Sequence, residues 1–367
     1  DKSFSKGSVG LRVVNAHATF SNFKVTALPQ PLSSKTESEI PEDWHLKIDV
    51  VSLQNGKTVP GLPTITADYQ GYRYFFQSNE NKDVFEQAPL MFAVQMDGGC
   101  GRMGSMSGRG LGNLWHLHDS KLYVFASEAC RKTFIKNPEQ YLEVDDTARE
   151  FSSKEIDEGK QAFASVIEAH GGADAIRELN VISRLFQEQV KAGTATYDHL
   201  EKWTFDFGKS TFSTWDSWND LVYIQTMTPS DRYFATRQRK GMAEQRRPMF
   251  GAAQREATRI RNRQLVVILK AMQRDDFRVA AISRDNLGRQ RLLTEFDGCS
   301  NILTIDQDTG LVIAISYRGR GPQMSYGLRT DWLSDYEKVA SVQLATTQIM
   351  EFDDEKSDSK TYQWVQQ

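Results

Sequence analysis

The sequence predicts an α+β, multidomain protein: a small duplicated β-hairpin/helix module, then a larger region of helices and antiparallel meanders. Three observations point there. The chain has 367 residues, which suits two or three domains of the usual ~100–200 residues each. Tyr72–Pro89, "YRYFFQSNENKDVFEQAP", is echoed by Lys121–Pro138, "KLYVFASEACRKTFIKNP", the mark of an internal duplication. Beyond residue 150 the repeat stops, and helical periodicity alternates with runs of period two.

Composition narrows the function classes. With 39% hydrophobic and 11% aromatic residues the chain can bury real cores. Its net charge of −3 gives no global field for nucleic acid. No apolar run approaches the ~18 residues of a membrane helix. The most apolar stretch, Leu265–Met272, is interrupted by Lys270 and flanked by arginines, which fits a packed helix. The chain opens at Asp1 with no signal-like segment, so it reads as a mature form or a fragment.

Residues 1–28 show two alternating β runs, Val9–Val14 and Ala18–Val25, around a turn at Asn15–His17. Two strands cannot bury a core alone. Residues 29–43, "PQPLSSKTESEIPED", carry three prolines with serines and charges, the composition of a linker. Residues 44–150 hold the duplication: Tyr74/Tyr123, Phe76/Phe125, Ser78/Ser127, Phe85/Phe134 and Pro89/Pro138 recur at one offset. Alternating aromatics predict a strand with one buried face, and Ser78 or Ser127 suits the N-cap of the helix that follows. Glu80 and Glu128 fall in the first helical turn, where carboxylates interact favourably with the dipole.

Between the copies lies the glycine-dense segment Met96–Lys121, a loop that needs positive φ or close backbone approach. Its Gly108–Gly112 run lacks the Lys-Ser/Thr ending and flanking elements of a phosphate loop. In residues 151–367, "KEIDEGKQAFASVIEAHGGADAIREL" predicts a helix broken at Gly171-Gly172 and resumed briefly. A first meander follows, then a helix over about Ala252–Gln273, then a second meander with a hairpin turn at Asp306–Gly310. His170 reads as a cation at the helix C-terminus.

Three family resemblances sit on these segments. Gly7, Gly10, Leu11, Arg12, Phe20, Asn22, Phe23 and Val25 resemble the last hairpin of the concanavalin-like sandwich in 3-keto-disaccharide hydrolase-type domains. That implies an accessory part of a carbohydrate-processing hydrolase whose catalytic region lies elsewhere. The second repeat, with Tyr123, Phe125, Ser127, Glu128, Cys130, Phe134, Pro138, Tyr141 and Leu142, resembles a YHS domain, making 44–150 a tandem YHS-like module. Metal-binding members carry two cysteines around the Ser-Glu turn. Here the first position is Ala126, and the first copy has Gln77 and Asn81 instead. His170, Gly171, Gly172, Ala175 and Leu179, with Leu303–Tyr317 and Ser334–Thr347, resemble the outer-membrane lipoprotein-sorting carriers. That resemblance implies a curved antiparallel β half-barrel wrapping helices over 151–367, an apolar cleft, and a periplasmic or otherwise extracytoplasmic location.

Candidate site residues follow from chemistry. Cys100, Met103, His116, His118 and Cys130 gather thiol, thioether and imidazole groups, soft ligands that favour copper or haem iron. Three readings of Cys130 stand open: a small buried residue, a disulfide with Cys100, or a metal ligand. His116 and His118, two apart, share one strand face. Cys299, at a turn of the second meander, reads as inert. Basic residues crowd from Arg237 to Arg263 against Glu244 and Glu256, reading as a solvated helix face with its preceding loop. Arg237, Arg239, Arg246 and Arg247 are candidate contacts for an anionic head group or an anionic lipid surface. No aromatic interleaving accompanies this charge, which argues against nucleic acid. No G-x-S-x-G, H-E-x-x-H or P-loop occurs. The leading expectation is a non-catalytic extracytoplasmic protein binding an apolar or lipid-like ligand in the half-barrel, with metal, haem or redox handling by the YHS-like module as the alternative.

Overall fold

A computed structural model describes residues 40–367 apart from 144–149, 193, 220, 230–231, 239–246, 250, 354, 358 and 367. At 192, 232–238 and 247 it describes the backbone alone. The expected N-terminal hairpin and most of the linker, residues 1–39, lie outside the described residues.

The duplication is visible in three dimensions. After a short helix α1 (Val50–Gln54), strands β1 (Leu62–Tyr69) and β2 (Tyr72–Phe76) form a hairpin that feeds helices α2 (Asn79–Gln87) and α3 (Pro89–Phe92). The second copy is β3 (Leu111–His118), β4 (Lys121–Phe125) and α4 (Glu128–Lys136). Even the register irregularity recurs: it falls between Leu62 and Thr66 in one hairpin and between Leu111 and Trp115 in the other. Ser78 and Ser127 cap their helices by accepting from the N–H of Asn81 and Cys130. One fully buried phenylalanine then anchors each helix to its hairpin. Phe85 lies 4.6 Å from Tyr74 and 5.2 Å from Phe76; Phe134 lies 5.1 Å from Tyr123 and 5.2 Å from Phe125.

Beyond the module, α5 (Ser153–Ala169) starts at a capping box between Ser152 and Glu155. It ends at Gly171-Gly172, with φ of 116° and 89°, before the short α6 (Ala173–Glu178). A first antiparallel meander then runs through β5 (Val181–Ala192), β6 (Ala195–Asp206), β7 (Thr211–Trp218), β8 (Leu221–Met227) and β9 (Arg232–Gln238). Helices α7 (Gly251–Asn262) and α8 (Leu265–Ala271) lead to a second meander: β10 (Arg278–Ile282), β11 (Gln290–Phe296), β12 (Cys299–Ile305), β13 (Val312–Arg320), β14 (Tyr326–Val339) and β15 (Val342–Phe352). The C-terminal stretch joins the two sheets. Lys360–Thr361 pairs with β15, and β16 (Gln363–Gln366) pairs with β5.

Both sheets and the helices share one core, in which Phe163 and Ile167 of α5 meet Phe205, Phe212, Ile268, Leu292, Leu303 and Leu344. The α+β class holds, with open antiparallel sheets closing around helices. Two expectations are corrected. The single helix over Ala252–Gln273 is two, because Gln264 is extended (φ −83°, ψ 132°) and the chain turns there. Five successive residues after the turn, Leu265–Leu269, are all buried; a helix apolar all round is enclosed on every side, which a continuation of the half-polar α7 would not achieve.

The second correction concerns His170. It is fully buried and is not a cation. Its Nδ1 meets the Gln343 carbonyl at 2.7 Å and its Nε2 meets the Val312 N–H at 3.3 Å. A carbonyl only accepts and an N–H only donates, so the ring is neutral with its proton on Nδ1. Burial pushes its pKa down to about 4.

Candidate functional site

An apolar cleft of about 750 Å³ lies where α5 meets the edge of the second sheet. On α5 its lining residues Ile156, Lys160, Phe163, Ala164 and Ile167 fall at helical spacing on one face. The facing wall is Met272, Phe277 and Val279, with Leu293 on β11. Gly159 sets the spacing between the walls: a Cβ there would lie 2.5 Å from Ala280 Cα, so only glycine lets the helix lie this close to β10. Phe277 bridges the two sides, 5.0 Å from Phe163 and 6.1 Å from Phe296. Charged groups ring the mouth, with Lys160 and Arg278 against Glu150, Glu168 and Glu295. Such a lining can bury an apolar body and hold a polar end at its edge.

The arginine cluster is divided. Arg239 and Arg246 lie outside the described residues, and Arg237 and Arg247 sit on strands described by backbone alone. Arg255 is exposed, but the rest of the helical part is not a solvated face. Arg259 pairs with Glu143 at 2.8 Å, Arg261 with Asp297 at 3.0 Å, and the buried Arg263 donates to the Arg318 carbonyl and faces Glu256 at 3.7 Å. These cations are used inside the molecule, by partners distant in sequence. The cationic groups placed at the cleft, Lys160 and Arg278, carried no motif. The one signal for them was that Lys160 follows Gly159 inside an otherwise strong helix.

The soft-ligand candidates separate into two groups. His116 and His118 share a strand face, as expected, and both set their rings edge-on against Phe134. His118 Nε2 lies 2.9 Å from a Glu139 oxygen and 3.8 Å from Asp119. Among the described residues, these three are the histidine, cysteine or carboxylate group whose ligand atoms fall within 4.8 Å of one another. Burial lowers the His116 pKa. Cys100 and Cys130 instead lie together, with Phe125, Phe134 and Tyr141 and with Met103 packed alongside. Both are free thiols. Among the described residues no group of three ligand atoms within 4.8 Å joins the histidines to the cysteines, so the candidates do not form one donor set for copper or haem iron. Cys299 is buried in the second sheet, where burial raises its pKa.

The glycine-dense loop is a structural joint. Asp97 accepts from the N–H of Ala253 at 2.8 Å and of Ala252 at 3.4 Å, capping the start of α7. Met106 packs against the core of the two sheets. In the Gly108–Gly112 run, Arg109 donates to the Gly71 carbonyl and lies over the Trp44 ring at 4.6 Å.

No family model matches the chain, the YHS-like and N-terminal hairpin segments included, and no curated protein matches it. Among solved structures it is similar to a DUF1329 family protein from Desulfovibrio piger, at 11% identity over 58% of this chain and 92% of that one, with a TM-score of 0.35. It is also similar to a LolA superfamily protein from Nitrosomonas europaea, at 9% identity over 56% and 91%, with a TM-score of 0.31. At such TM-scores the reading of function rests on the cleft. Among the described residues, no helix is long and apolar enough to cross a membrane.

Proposed function

We propose that this is a non-catalytic binding protein that holds an apolar or lipid-like group between α5 and the edge of the second sheet. The observation that supports it is the cleft of about 750 Å³ walled by Ile156, Phe163, Ile167, Met272, Phe277 and Leu293. Removing apolar surface from water contributes ~25 cal/mol per Å², so each 100 Å² or so of ligand buried there is worth roughly 2–3 kcal/mol before ordering costs. Lys160 and Arg278 at the mouth suit a carboxylate or phosphate head, with Arg237, Arg239, Arg246 and Arg247 as further cationic candidates. Function outside the cytoplasm belongs to the same proposal, on the strength of the resemblance to lipoprotein-sorting carriers.

The test is equilibrium binding of a fluorescent fatty-acid probe to delipidated protein, with and without Ala164→Trp. Ala164 is exposed and lines the cleft, so an indole there occupies part of the cleft while leaving the core untouched. Saturable binding that the substitution weakens at least tenfold supports the proposal. Absence of binding, together with no lipid in mass spectra of the purified protein, contradicts it. Cell fractionation checks the location.

A further inference from the structure

The two copies of the hairpin/helix module are built around the same small cradle, and what fills it differs. In the first copy the fully buried Asp49 carboxylate fills it. One carboxylate oxygen accepts from the Gln77 N–H and from the Asn81 side chain, both at 2.7 Å. Gln77 directly follows the strand and Asn81 sits in the first turn of α2, so the cradle is aimed at an anion. In the second copy Ala126 and Cys130 stand at the positions of Gln77 and Asn81. Cys100 is fully buried there, and the backbone N–H groups of Ala126, Arg102 and Met103 favour its thiolate.

The second cradle thus holds sulfur where the first holds a carboxylate, and the equivalent of Asn81 is a second sulfur. Cys130 packs in one cluster with Cys100, and the Ser127 hydroxyl and the Arg102 guanidinium favour its charged form. It lies in the first turn of the nine-residue α4, where the helix dipole favours negative charge. The two cysteines differ in access: Cys100 is 0% exposed and Cys130 is 9% exposed.

We propose that Cys100 and Cys130 form a redox-active dithiol that exchanges with low-molecular-weight disulfides, Cys130 attacking and Cys100 resolving. The Cys130 thiolate attacks one sulfur of the incoming disulfide, whose S–S bond breaks. A mixed disulfide forms on Cys130, and the first thiolate leaves with the proton of Cys100. The Cys100 thiolate then attacks Cys130 Sγ, the protein disulfide closes, and the second thiolate departs to take a proton from solvent. The dithiol gives up two electrons and two protons, and the small disulfide becomes two thiols. Arg102 and Ser127 act as positioning residues that hold the attacking sulfur ionised. This chemistry is independent of the cleft.

The supporting energetic signs agree with the geometry. Cys130 has its pKa lowered although burial opposes it, because Ser127, Arg102 and Cys100 donate to its thiolate, whereas burial raises that of Cys100.

The test treats the whole chain with oxidised glutathione, alkylates it in denaturant and maps the products by mass spectrometry. The expected result is loss of two of the three thiols, with Cys100 joined to Cys130 and Cys299 free. Cys100→Ser should accumulate glutathione on Cys130, and Cys130→Ser should stay reduced. Arg102→Gln, read by the pH profile of Cys130 alkylation in folded protein, should move the midpoint upward. Three free thiols in the treated wild-type protein, glutathione on Cys100 in preference to Cys130, or stoichiometric metal on the two sulfurs would each overturn the proposal. Peptide mapping of the wild-type protein decides the matter even where a serine variant does not fold.

Discussion

His170 makes this protein's stability depend on pH in a way that one substitution isolates. In the folded state its ring is neutral and buried between Gln343 and Val312, and its pKa falls from 6.5 to about 4. In the unfolded chain it titrates near 6.5. As pH falls below 6.5 the unfolded state takes up a proton that the folded state refuses, so the contribution is fully present above 6.5 and is lost as pH falls to about 4. Across the whole window this amounts to about 3 kcal/mol, and between pH 7 and pH 5 to about 2 kcal/mol. His170→Gln keeps a donor and an acceptor but does not titrate. Urea unfolding at both pH values, followed by tryptophan fluorescence and extrapolated linearly, should show the wild-type protein losing about 2 kcal/mol more than the variant. Equal losses in the two proteins would refute a neutral buried His170 as the pH-sensitive tie between α5 and the second sheet.

Three further outcomes are expected. Asp97→Ala removes the acceptor for two N–H groups at the start of α7 and should cost about 1–2 kcal/mol in urea unfolding. The two-residue turn between β14 and β15 places Ala340 at φ 50° and Ser341 at φ 76°, so the Asn-Gly pair preferred in such turns should raise stability by about 1 kcal/mol and shift the thermal midpoint upward. Gly159→Val drives side-chain atoms into the Ala280 backbone; it should push α5 off β10, lower the thermal midpoint and weaken probe binding together.

What could be read from the sequence was local or repeated. The hairpin/helix copies were legible because strand alternation, a serine cap and one anchoring phenylalanine recur at one offset, and the structure repeats them down to the strand irregularity. The helix break at Gly171-Gly172 was legible because two glycines supply the positive φ that ends α5. The broad α+β class followed from the change of period after residue 150.

Pairings made across the fold were not legible. Arg259 and Arg261 looked unbalanced because their partners, Glu143 and Asp297, lie far along the chain. His170 read as a helix C-terminal cation because nothing local announces that Val312 and Gln343 close over it. The equivalence of Asp49 and Cys100 was hidden as well. They fill matching cradles, yet they precede their hairpins at different distances, so comparing the copies at one offset never aligns them. The cleft itself depends on Gly159 facing Ala280, a contact between elements that no periodicity reports.

The central claim is that the cleft between α5 and the second sheet takes an apolar ligand, and photolabelling locates that ligand directly. A fatty acid carrying a diazirine on its chain, irradiated with the delipidated protein and mapped by peptide sequencing, should label Ser153–Ala169 and the residues around Phe277–Ala280, competed by unlabelled fatty acid. Uncompeted labelling, or labelling confined to exposed apolar side chains such as Leu90 and Met91 on the module, would contradict it.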